Sequence, residues 1–112
     1  MTYIDVLAIH ITDICNMDCK FCLRGERGER KLNLSLIPKI FDGIDQISEL
    51  VITGEEPSCY VEAVTAIVDY LVKEKDQIDV SGLFIATNGK EYRQELVDAV
   101  KTVLFYKWKK NL

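Results

Sequence analysis

Cys15, Cys19 and Cys22 fall within eight residues of a 112-residue chain, spaced Cys-x3-Cys-x2-Cys. Thiolates crowded into one loop repel each other unless a metal neutralises them, and soft sulfur ligands favour iron-sulfur clusters, zinc or Cu(I). A cuboidal iron-sulfur cluster usually takes one thiolate per iron, so three local ligands leave one iron open for something else. An open coordination position is what chemistry requires and a scaffold does not. Two further donors could close the set into a structural zinc or cluster site, Cys59 and His10, the only histidine. Cys59 reads rather as a small buried residue at the start of a helix, and His10 as a strand histidine hydrogen-bonded within the core.

The cysteine loop follows a segment, Tyr3 to Ile11, rich in Ile, Val and Leu, which predicts a strand buried on both faces as in a parallel sheet. Sites in such sheets are built at the carboxyl ends of the strands, where this loop departs. From Leu23 to Asn33 the chain is charged and glycine-bearing, a solvated loop whose arginines could alternatively reach an anionic substrate. Ser35 as N-cap, Pro38 in the first turn, and Leu36, Ile40, Ile44 and Ile47 at helical spacing predict a helix from Leu36 to Ser48. Leu50–Thr53 then reads as a short buried strand ending in Gly54-Glu55-Glu56-Pro57. Val61, Val64, Ile67, Val68 and Leu71 make one stripe of a second helix, Tyr60 to Lys73.

Asp76 to Ser81 reads as a link to a third strand, Leu83–Thr87, closed by an Asn88-Gly89 turn. A third helix shows Tyr92, Leu96, Val97, Val100, Val103 and Leu104 on its apolar face, and its basic, aromatic tail reads as the fraying helix end. Strand and helix alternate three times, which predicts an α/β fold with a parallel sheet and right-handed crossovers.

Composition is that of one ordinary globular domain, 1–112, with 48% hydrophobic and 29% charged residues. The net charge of −4 lacks the basic stripe of a nucleic-acid binder. The only early apolar run is broken by Asp5 and His10, so neither a signal peptide nor a membrane span is expected. A reducing cytoplasm then fits four cysteines better than two disulfides do.

Three separated segments resemble the radical S-adenosylmethionine (SAM) superfamily, each at the end of a predicted strand. The cysteine loop resembles the family's signature, with aromatic Phe21 before the last cysteine. Thr53-Gly54-Glu55-Glu56-Pro57 resembles its Gly-Gly-Glu-Pro segment, and Thr87-Asn88-Gly89 its Thr-Asn-Gly. The resemblance implies half of a partial TIM barrel and a 4Fe-4S cluster on Cys15, Cys19 and Cys22, with SAM on the open iron. It further implies a SAM site lined by Phe21, Gly54, Glu55, Glu56, Thr87 and Asn88, with the Glu56 carboxylate toward the SAM amino group. The implied reaction is reductive cleavage of SAM to a 5′-deoxyadenosyl radical that takes hydrogen from a substrate, with an electron donor such as flavodoxin or ferredoxin. Glu55 stands where the family has its second glycine, so a side chain there is expected either to oppose a left-handed backbone or to fill space the ligand needs. The barrel of that family continues beyond three strand-helix units, which leaves the third strand as an open edge and the inner sheet face without cover. Either self-association or a partner subunit covers them, or the chain is a truncated radical SAM core, an inactive fragment of a longer enzyme.

Overall fold

The computed structural model describes residues 2–13, 30–89 and 92–110, with side chains as far as 104. Strand β1 spans Tyr3–His10, a short helix α1 Ile37–Ile40, β2 Gln46–Thr53, α2 Val61–Lys73, β3 Asp79–Ile85 and α3 Gln94–Lys110. All strand pairs are parallel, in the order β1-β2-β3. Consecutive parallel neighbours joined by crossovers of one hand place their helices on one face of the sheet, the geometry of a barrel wall. The α/β reading holds. No helix among the described residues is long and apolar enough to cross a membrane.

The core lies between that face and the helices. Ile47, Leu50, Ile52 and Leu83 from the sheet meet Val61, Val64, Ile67, Val68 and Leu71 of α2, at the spacing expected of its apolar stripe. The opposite face is open. Val6 and Phe84 on it are each 55% exposed, and β1 shows one buried residue, Ile9, so the expectation of a strand covered on both faces fails. Its physical reason is position, because β1 is an edge strand with helices on one side only. Both β1 and β3 are edges, where the sequence suggested only the third strand.

Strand pairing keeps one offset throughout, yet skips the row Asp5, Ser48, Ser81 in all three strands. Before this row the inward residues are Ile47 and Val80, and after it Leu7, Leu50 and Leu83, so the alternation changes parity in register across the sheet. Tyr3 hydroxyl bonds both Asp5 Oδ1, at 2.9 Å, and Ser48 Oγ along the skipped row.

The helix expected from Leu36 to Ser48 is much shorter. Asn33, rather than Ser35, caps its start: the Asn33 Oδ1 accepts from the Ser35 amide at 3.0 Å, and a 3-10 turn Leu34–Leu36 leads into α1 with Pro38 in the first turn. The helix stops at Phe41, and Gly43 takes a φ of 77°, a left-handed angle that suits glycine and breaks the run. The following residues join the sheet, where the Asp45 amide donates to the Thr2 carbonyl at 3.0 Å and Ile47 is fully buried. Similarly, Asp79–Ser81 is strand and not link. In α3 the buried face is Leu96, Ala99 and Val103 with Val100 beside it; Leu104 lies off that face and is exposed, and Tyr92 precedes the helix and is exposed.

Phe41 anchors the short α1 to α2, fully buried and stacked on Tyr70 with ring centroids 5.6 Å apart. Phe41→Ala removes a large, fully buried apolar side chain from the core. The expected loss is about 3–5 kcal/mol of unfolding free energy, read from urea denaturation midpoints at unchanged slope.

Candidate functional site

At the carboxyl ends of the strands the chain ties itself into a rim. Beyond β1, the Ile11 amide donates to Thr53 O at 2.8 Å, continuing the ladder by one step. The chain then leaves the sheet as a two-stranded stem. Thr12 pairs antiparallel with Lys31, the Asp13 amide donates to Arg30 O at 2.9 Å, and the Leu32 amide returns to Ile11 O at 2.8 Å. Residues 14–29, including Cys15, Cys19, Phe21 and Cys22, lie outside the described residues, so the stem is their attachment point.

The Gly54-Glu55 turn seals the stem from the side of β2. Gly54 has φ 156°, and a Cβ there would stand 2.7 Å from the Thr12 carbonyl oxygen and 3.1 Å from its nitrogen. The backbone can approach that closely only because position 54 has no side chain. The Glu55 amide then donates to the same Thr12 oxygen at 2.9 Å. Glu55 itself is not left-handed, since no described residue other than glycine has positive φ, and the strain expected at that position is absent.

Glu56 is 1% exposed and caps the 3-10 turn Pro57–Tyr60 that opens α2. Its Oε2 accepts from the Ser58 amide at 3.0 Å and the Thr87 hydroxyl at 2.5 Å, and its Oε1 accepts from the Asn88 amide at 2.6 Å. The second and third motif segments are thereby fastened through one carboxylate. Burial pushes this carboxyl up, but hydrogen bonds from Ser58, Thr87 and Asn88 outweigh burial and hold it below the ordinary value of 4.5. Thr87, Asn88 and Gly89 are exposed, with Gly89 turning at φ 73°. Arg93 reaches from the start of α3 to Ser58 O at 3.2 Å, binding the third helix to the same rim.

The sequence-predicted residues Gly54, Glu55, Glu56, Thr87 and Asn88 therefore meet at one edge. Cys59 is half-buried in the 3-10 turn, outside any disulfide, and no cluster of three described His, Cys, Asp or Glu side chains converges on a common point. His10 is not a core histidine: its ring is about half exposed and bonded to Asp13. Four contributors carried no motif. Tyr60 donates its hydroxyl to Leu32 O at 2.9 Å and lies under Lys31, whose Nζ is 4.9 Å from the ring centroid, while Asp13 and Arg30 pair across the stem. Nothing local could have found them, because each pairing spans 17 or more residues.

A family model described as the Radical SAM superfamily matches residues 9–105, from the end of β1 into α3. No curated protein and no solved structure gives a significant match.

Two outcomes follow from the rim. Gly54→Ala drives a methyl into the Thr12 backbone and is expected to cost about 1–3 kcal/mol, with hydrogen-exchange protection lost first at Asp13, Leu32 and Glu55. Glu56→Gln turns one acceptor oxygen into a donor facing another donor, at about 1–3 kcal/mol in urea unfolding at neutral pH. A carboxyl lowered on folding contributes stability that is complete above its unfolded value and is lost as pH falls through the folded one. The gap between the wild-type and Gln chains should thus stay constant above pH 4.5 and shrink below it.

Proposed function

Because the chain belongs to the radical SAM superfamily, whose members share SAM-dependent radical chemistry, we propose that it is a cluster- and SAM-binding core of that kind. Cys15, Cys19 and Cys22 would hold a 4Fe-4S cluster, and the donor set suits it: soft thiolates, one fewer than a closed site needs. When bound, the cluster supplies the electron that cleaves SAM to a 5′-deoxyadenosyl radical, which takes hydrogen from a substrate. The protein's own part is to bind, orient and exclude water.

The observation that supports this reading is that the stem flanking residues 14–29, the Gly54–Glu56 turn and the Thr87-Asn88 segment meet at the carboxyl end of the sheet. The stem fixes where the cysteine loop begins and ends, and Thr12 sets it directly against the Gly54-Glu55 turn. Gly54, Glu55, Thr87 and Asn88 line the accessible rim and would face SAM, with Phe21 shielding the cluster from water. Glu56 is different, since its oxygens are engaged by three donors within the chain. Its role in this proposal is to hold the Gly54-Glu55 and Thr87-Asn88 segments at a fixed separation, so that backbone groups meet the ligand without reorganising.

The test is anaerobic reconstitution with iron and sulfide, then dithionite and SAM, with 5′-deoxyadenosine measured. A brown protein that forms the nucleoside is expected, and Cys19→Ser should abolish both the colour and the product. A brown protein that forms none would transfer the assignment to a cluster-bearing electron-transfer module, and a colourless zinc protein would remove it.

A further inference from the structure

Asp13 stands where β1 gives way to the stem, its side chain 7% exposed and both oxygens engaged. Oδ1 meets Nε2 of His10 at 2.8 Å, and Oδ2 accepts from Nε of Arg30 at 2.8 Å. A buried carboxylate used in this way fixes the groups around it and is not itself open to a cation. Those groups face out, with the His10 side chain 51% and the Arg30 side chain 87% exposed. Together with Lys31 they line one cleft of about 290 Å³.

Charge in this cleft runs against that of the whole molecule. The chain carries −4, yet among the described residues lining the cleft Arg30 and Lys31 stand against Asp13 alone. Arg30 spends its Nε on Asp13, and among the described residues its two terminal nitrogens bond nothing, leaving them to donate to a further acceptor. Lys31 is steadied over the Tyr60 ring. The imidazole engages Asp13 through Nε2 and walls the cleft beside Arg30. The volume suits one small group and not a whole drug-sized molecule.

We propose that His10, Arg30 and Lys31 form a binding site for an oxyanion, the phosphate or carboxylate group of a substrate, with Asp13 as the positioning residue. The site lies at the carboxyl end of β1, the edge at which parallel sheets bind ligands. Assigning the anion to a substrate rests on the radical reading; the anion site does not, since it contains none of the cysteines.

The test is calorimetry of the full chain with sodium phosphate and, in parallel, sodium acetate, at fixed ionic strength, before and after reconstitution with iron and sulfide. One anion per chain is expected in both states. Arg30→Gln should weaken binding about tenfold or more, and Arg30→Lys, which keeps the charge but not the fork, should restore only part of it. Arg30 is exposed, so these variants should keep the wild-type circular dichroism, whereas Asp13→Asn is read only if it folds as the wild type does. Tighter binding of phosphate than of acetate identifies a phosphate-bearing substrate, and the reverse a carboxylate. Heats that do not saturate, or equal affinity in wild type and Arg30→Gln, overturn the site. Failure to form 5′-deoxyadenosine would instead overturn the radical reading and leave the calorimetry before iron addition as a separate result.

Discussion

Buried at the junction of two strand ends, the Glu56 carboxylate accepts hydrogen bonds from Ser58, Thr87 and Asn88, and the geometry of the rim depends on it. An ionised group that far from water is costly unless its lone pairs are met, and here both oxygens are. The result fastens the turn after β2 to the segment after β3 and begins α2 at the same time. Three features that read separately along the chain become one mechanical unit. A small sheet of three strands with two free edges needs such a unit, because it has little core with which to hold its loops still.

A second tie works by the absence of a side chain. Gly54 brings the β2 turn against the Thr12 backbone, closer than any Cβ would allow, and the Glu55 amide fixes the contact. Glu56 and Gly54 therefore divide the rim between them, one joining β2 to β3 and the other joining β2 to the stem that follows β1. Neighbouring residues of one short turn thus face opposite ways and hold both flanks. This gives the departure of the Gly-Glu-Glu-Pro segment from the family's Gly-Gly-Glu-Pro a physical account: the position that cannot carry a side chain is 54, and 55 tolerates one.

Much of the fold was legible in the residues. The α2 stripe and the parallel α/β order each follow from local pattern, and the structure contains both. The helix over Leu36–Ser48 was misread because Ile40, Ile44 and Ile47 satisfy a helical period, while Gly43 and pairing with a strand far away in sequence decide the outcome. The parity change at Asp5, Ser48 and Ser81 was invisible for a related reason, as it is a property of three strands in register and not of any one. Within the site, the cysteine spacing predicts metal-binding chemistry from the sequence alone, at positions outside the described residues. The burial of Glu56 and the pairing of Asp13 with Arg30 did not announce themselves, since each needs a partner that only folding brings near.

The stem that closes residues 14–29 at their base has a consequence for how such a chain can change. The stem holds Asp13 and Arg30 together, so adding residues between them costs little, since closure entropy grows only logarithmically with length. Length can therefore be added between Asp13 and Arg30 while Thr12 and Lys31 keep the same seat.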